Sequence, residues 1–243
     1  MADKRFTINL NGISYLFFLL FSLSLYAQEK PDALILYKDG KYAEAVSICE
    51  AEIRQNPSNL DSYVVMAWAL LADGQYKRSY DMASEGRKIV QNDPRLIETQ
   101  AEACFYLGKN IEALNLFQDY IFYAPQGVRI PASYYFMGEI YLRMSKYRHA
   151  DIAFSVAVTL DSFNSFWWVR LGYAREQTRD FRYSLEAYEK ALSLNKNLVD
   201  AQRGKERVLK KILNYEYTIF GAYRNAGLPI KSSGIGSPCR AFC

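Results

Sequence analysis

Histidine is almost absent: His149 stands alone in 243 residues. That excludes any site built on two imidazoles and leaves Cys/His zinc chemistry without partners. Cysteine is scarce as well, with Cys49, Cys104, Cys239 and Cys243 and no CxxC spacing among them. Neither a thioredoxin-like redox site nor a zinc knuckle is supported. Glycine and proline number 13 and 7, together about 8% against the roughly 12% usual in proteins. The shortage rules out collagen-like or linker-like sequence and leaves room for long uninterrupted helices. The formal charge of +4 is too small to argue for nucleic acid. No nucleophile elbow, phosphate-binding glycine loop, zincin motif or dinucleotide fingerprint occurs. The sequence therefore offers no catalytic, metal or cofactor-binding residue. What it has is 50% apolar and 23% charged residues, the balance of a folded chain rather than a disordered one or a membrane bundle.

The first 27 residues read as a targeting segment. Lys4 and Arg5 precede the apolar run from Ile13 to Leu25, and Ala27 follows it. This is the order of a secretory signal, with charge, a short hydrophobic stretch and a small residue at the cut. The run falls short of the roughly 20 apolar residues that span a bilayer as a helix. Cleavage is expected after Ala27, which leaves 28 of the 30 basic and 25 of the 26 acidic residues. The expected location is outside the cytoplasm, periplasmic or secreted. Cys49 and Cys104 fall at core positions of helical patterns and read as buried reduced thiols. Cys239 and Cys243 lie in the tail, where they are free to pair with each other or with another chain.

The middle of the chain repeats. Ala45, Ser79, Ala113, Ala150 and Ser184 are equivalent anchors, each followed four positions later by another core residue. Three of the four steps between them are 34 residues, and the step from Ala113 to Ala150 is 37. Gly40, Gly74 and Gly108 recur five positions before their anchors. There the chain must leave a helix, and glycine tolerates a left-handed backbone. Tyr42, Tyr76, Tyr147 and Phe181 share one equivalent site, and Asn110 is the exception. A fixed period of this size specifies stacked supersecondary units rather than a single compact core. The periodicity predicts helix pairs at about 29–55, 59–91, 94–123, 131–160 and 164–194. The three extra residues map to the Ala124–Pro131 connection.

Quoted in full, the repeats resemble the tetratricopeptide repeat. The fourth has Tyr134-x2-Met137-Gly138-x2-Tyr141, then Tyr147, Ala150, Phe154 and Ala157; the fifth has Trp168-x2-Leu171-Gly172-x2-Arg175, then Phe181, Ser184, Tyr188 and Ala191. These follow the W-x2-L-G-x2-Y … A-x3-F signature. The third repeat keeps Ala101, Gly108, Ala113, Phe117 and Pro125, and the first keeps Gly40, Tyr42, Ala45 and Pro57. The second is weakest, with Ala83 where the aromatic belongs and Gly86 where alanine belongs. The resemblance spans about residues 28–197. It implies an all-α, right-handed superhelical solenoid of about five helix-turn-helix repeats. Residues 198–224 form an amphipathic run expected to cap the last repeat. Residues 225–243, rich in glycine, serine and proline without period, read as a disordered tail.

Two other features have ordinary explanations. His149 lies beside the Ala150 anchor, and an isolated histidine lacks the positioned second group that catalysis needs. Arg203, Lys205, Arg207, Lys210 and Lys211 form a basic patch, but a short one without interleaved aromatics, as on a solvated helix face.

The family resemblance implies a concave groove lined by the first helix of each repeat, holding an extended peptide or a partner helix. Its positions fall on Val64, Trp68 and Leu71; Glu98, Glu102 and Phe105; Tyr135, Glu139 and Leu142; and Phe166, Val169, Tyr173 and Glu176. The family's Lys/Asn/Lys/Arg clamp for C-terminal carboxylates is missing; Val65 and Thr99 stand at two of its positions. The groove instead mixes aromatics with carboxylates. The expectation is a non-enzymatic, exported scaffold that binds a protein or peptide carrying apolar and basic residues, with no cofactor and no nucleic acid. An accessory module recruiting an envelope enzyme or assembly machine is one alternative. A helical-repeat binder of single-stranded RNA is another, disfavoured by export and by carboxylates in the groove.

Overall fold

The computed structural model describes residues 32–225, which form eleven helices and, within that range, no strand. The targeting segment and most of the glycine- and serine-rich tail lie outside the described residues. The helices are α1 (Ala33–Lys38), α2 (Tyr42–Gln55), α3 (Leu60–Ala72), α4 (Tyr76–Ile89), α5 (Pro94–Tyr106), α6 (Asn110–Tyr123), α7 (Ile130–Arg143), α8 (Tyr147–Leu160), α9 (Ser165–Gln177), α10 (Phe181–Leu194) and α11 (Val199–Asn225). The five pairs agree with the periodicity to within a few residues. Every second helix begins at the recurring Tyr/Phe/Asn site.

Each second helix packs on the first helix of its own repeat and on that of the next. Successive first helices also touch directly, α1 on α3, α3 on α5, α5 on α7 and α9 on α11. That layering puts the first helices on the inside of a solenoid. The anchors explain the close pairing, because Ala45, Ser79, Ala113, Ala150 and Ser184 are all fully buried. The two serines would each bury an unsatisfied hydroxyl, a cost of about 1–3 kcal/mol. Each instead donates to the carbonyl twelve residues back, Ser79 to Ala67 at 2.8 Å and Ser184 to Gly172 at 2.7 Å.

The turn inside each repeat is one recurring structure. In the first, the Gly40 N–H donates to the Tyr37 carbonyl at 3.0 Å and the Lys41 N–H to that of Leu36 at 2.9 Å. This is the two-bond closure that satisfies the last carbonyls of a helix through a left-handed residue. Gly40, Gly74 and Gly108 sit at φ of 76°, 76° and 74°. The fourth and fifth repeats keep the hydrogen bonds but place Ser145 (φ 56°) and Arg179 (φ 64°) there.

In the weakest repeat, packing replaces the missing aromatic. A side chain on Gly86 would meet Leu96 and Tyr63, which occupy its space. At the other end, α11 lies on α10 and α9. Tyr188 is held between Gly172 and Gly204, and a Cβ on either glycine would strike its ring. With 27 residues, α11 is about 40 Å long at 1.5 Å per residue, roughly twice any other helix.

Candidate functional site

The inner face holds two cups rather than one continuous trough. The N-terminal cup, a cavity of about 600 Å³, lies between α3, α5 and the α6–α7 connection and includes Trp68, Leu71, Glu98 and Glu102. Its aromatic walls are two pairs. Tyr37 faces Trp68 with ring centroids 5.9 Å apart, and Tyr76 stacks on Tyr106 at 4.4 Å. The C-terminal cup, about 420 Å³, gathers Tyr135, Phe166, Val169 and Tyr173 above the buried Tyr188. Phe166 is its most open ring, 64% exposed. Tyr135 stacks on Trp167 with ring centroids 5.3 Å apart.

Three positions read from sequence as groove residues are interior instead. Val64 belongs to the packing between helices with Ala67, Ala83 and Leu96. Phe105 is buried against Phe136 and covered by Arg143, whose guanidinium sits 3.7 Å from the ring centroid and donates to the Phe105 carbonyl at 2.8 Å. That cover separates the two cups and interrupts the aromatic lining. Glu176 is sealed beneath α11, its side chain 2% exposed. Leu142 packs against the core of the fourth and fifth repeats.

The four carboxylates correct the sequence reading most. Glu98, Glu102, Glu139 and Glu176 were expected as free acidic groups, but each is taken by a cation of this chain. Arg129 donates from Nε to Glu98 at 2.8 Å and from Nη2 to Glu102. Arg170 grips Glu139 with both Nε and Nη2, the latter at 2.7 Å. Arg207 grips Glu176 in the same way at 3.1 and 2.9 Å, and Lys211 adds a bond at 2.8 Å. The pairs Glu98–Arg129, Glu139–Arg170 and Glu176–Arg207 each span 31 residues. They form rungs joining one first helix to the next, or to the residue just before it. The cause is burial: a carboxylate taken out of water is costly unless a cation and hydrogen bonds compensate it.

The balance of charge differs from rung to rung. Glu98 and Glu102 share one arginine, Glu139 has one, and Glu176 has an arginine and a lysine. Burial pushes the Glu98 carboxyl above the usual carboxylate range despite the pull of Arg129. Burial acts in the same direction on Glu176, but Arg207, Lys211 and Tyr188 outweigh it and hold that carboxyl below the usual range. Sequence reasoning missed Arg129, Arg170 and the cup residues Tyr37, Tyr76 and Tyr106, and it read Arg207 and Lys211 as part of a solvated basic patch, whereas both are bound to the buried Glu176. The 31-residue step from Glu98, Glu139 and Glu176 to an arginine was the available signal.

The remaining reactive groups are quiescent. Burial pushes the thiols of Cys49 and Cys104 up to about 12, so neither is an activated nucleophile. The His149 ring leans on Tyr141, centroids 5.2 Å apart. Among the described residues no group of His, Cys, Asp and Glu is placed to hold a metal ion, and none of their helices is long and apolar enough to cross a membrane.

Comparison with known families agrees with this geometry. Residues 168–198 match the tetratricopeptide-repeat model, and residues 38–120 match that of anaphase-promoting complex, cyclosome, subunit 3. The described residues have a tetratricopeptide-like helical-repeat fold. No curated protein matches the sequence. Among solved structures, this repeat array is similar to MamA (residues 41 to the end) from Desulfovibrio magneticus RS-1, at 18% identity and a TM-score of 0.62 over 69% of this chain and 93% of that one. It is similar to YrrB, described as a TPR protein with an unusual peptide-binding site, at 14% identity and a TM-score of 0.61 over 72% and 88%. It also resembles TTC0263, a thermophilic TPR protein of Thermus thermophilus, at 17% identity and a TM-score of 0.53 over 73% and 95%. At these identities the likeness is one of fold. Tetratricopeptide proteins are typically interaction scaffolds rather than enzymes.

Proposed function

We propose that this protein is a non-enzymatic scaffold that is exported, loses residues 1–27 and holds a segment of a partner protein along its concave face. The observation that carries the reading is the pair of open cups on that face, rimmed by Trp68, Tyr135, Phe166 and Tyr173. Aromatics cost little conformational entropy when ordered and are the usual energetic anchors of interfaces. The partner supplies apolar side chains to the rings and basic groups to the N-terminal cup, where Glu98 and Glu102 share one arginine. That YrrB has a peptide-binding site supports a peptide ligand on a similar array.

The test is capture of partners by the purified protein from its own envelope fraction. Changing Tyr135 and Phe166 together to alanine should weaken capture at least tenfold, since each ring is worth roughly 2 kcal/mol when truncated at an interface centre. The far-ultraviolet helical spectrum should be kept. Undiminished capture would move the binding surface off the concave face. Sequencing the exported protein should give Gln28 as the first residue; secreted material beginning at Met1 would refute the processing.

A further inference from the structure

We infer that the N-terminal cup is a receptor for one lysine or arginine side chain of the bound segment; this rests on reading the concave face as a peptide groove. Three observations lead there. The first is charge. Of the three glutamate rungs, the one formed by Glu98, Glu102 and Arg129 is the one in which carboxylates outnumber cations; Arg95 also bridges two carboxylates, Asp61 and Asp93, but none of these three lines this cup. The second is unused acceptor capacity. Arg129 engages Oε1 of both glutamates, and an ionised carboxylate has about four lone-pair sites. No hydrogen bond from the described residues reaches either Oε2, and both side chains, though about nine-tenths buried, line the cavity. The third is the surround. The Tyr37/Trp68 and Tyr76/Tyr106 pairs bring four rings to one cavity. Ring faces attract a cation, more strongly as water is excluded.

The same balance argues against an acidic ligand here, because a third carboxylate would join two that share one guanidinium. It also separates the two cups. In the C-terminal cup Glu139 is gripped bidentately by Arg170 and Glu176 is over-compensated by Arg207 and Lys211. That cup presents aromatic surface with Arg170, Arg207 and a single carboxylate, Asp200, on its wall.

The test uses the full chain after signal removal and two capped octapeptides, one alternating leucine with lysine and one alternating leucine with glutamine. Calorimetry at low salt should show the lysine peptide binding at least tenfold tighter. Glu98→Gln with Glu102→Gln should bring the two peptides within about twofold, whereas Glu139→Gln should keep the preference. Should the double variant fail to fold, Glu102→Gln alone should narrow the preference and Trp68→Leu should lower lysine-peptide affinity severalfold. Equal binding of the two peptides by the wild type, a preference that survives the glutamine changes, or binding of neither peptide would each overturn the cation site. Lysine-peptide binding that ignores Glu98 and Glu102 but is lost on changing Tyr135 and Phe166 would overturn this site and leave the groove reading standing. Binding that ignores all four would overturn both.

Discussion

The first three repeats and the last two use glycine for different purposes. In the first three it stands in the turn, where Gly40, Gly74 and Gly108 adopt a left-handed backbone, with Gly86 of α4 as the one packed helix glycine. In the last two it has moved into the first helix. Gly138 lies under the ring of Phe154, and Gly172 together with Gly204 encloses Tyr188. The turn there is left to Ser145 and Arg179, which adopt the same conformation against their preference. The first three repeats thus have relaxed turns, whereas the last two accept strained turns and seat Phe154 and Tyr188 directly against helix glycines. One hydrogen-bonded turn is common to both, so the period constrains backbone closure more tightly than it constrains the residue that closes it.

The largest effect should come from filling the helix glycines. A Cβ on Gly138 would lie 2.5–2.7 Å from three atoms of the fully buried Phe154 ring. Gly138→Ala should cost about 2–3 kcal/mol, the upper range for overpacking a tight core. Adding Phe154→Leu should restore part of it, as chemical denaturation would show. Next comes the rung that ties α11 to the array. Breaking a buried pair costs about 3–5 kcal/mol when a charge is left buried and unpaired, but Arg207 and Lys211 are nearly half exposed and recover water. Glu176→Ala should therefore cost less, about 2 kcal/mol. Because the Glu176 carboxyl is held below its usual range, its contribution is present above the unfolded value near 4.5 and is lost as pH falls through the folded one. An acid titration followed by amide exchange in α11 should show loosening in the wild type and a flatter profile in Glu176→Gln.

Turn substitutions sharpen the contrast at smaller scale. Gly40→Ala meets nothing within 4 Å, yet φ of 76° penalises any Cβ. It should cost about 1 kcal/mol through conformation alone. The reverse changes, Ser145→Gly and Arg179→Gly, should stabilise by about 0.5 kcal/mol each. Relief of a left-handed strain of about 1–2 kcal/mol is partly offset by the greater freedom of glycine in the unfolded chain. Equal midpoints for the wild type and these variants in urea would mean that the strained turns carry no penalty.

The fold was legible because periodicity and packing agree at the anchors. Small residues at 34-residue steps admit only close helix pairing, and the 37-residue step falls at the α6–α7 connection, where an insertion disturbs no helix. The site was legible in part. Trp68, Tyr135, Phe166 and Tyr173 could be assigned to first helices from register, and those helices do line one face. Their neighbours across repeats could not, because the rungs shift along the helices. Glu98 is near the start of α5, Glu139 lies past the middle of α7, and Glu176 is at the end of α9. A register that treats repeats as identical therefore set four carboxylates in the open, when each had an arginine 27 or 31 residues ahead. Phe105 was missed for a related reason: the Arg143 that covers it belongs to the next repeat.

The six-residue helix α1 adds a thermodynamic asymmetry. In an array whose units are held mainly by nearest neighbours, opening spreads inward from the end with the least contact area. Among the described residues the area at this end is small, since α1 rests on α2 and α3. Tyr37, one wall of the N-terminal cup, belongs to that helix. Occupying the cup and suppressing the fraying of α1 are then a single event. A ligand bound there would register as slower amide exchange from Leu36 to Gly40, whatever else it touches.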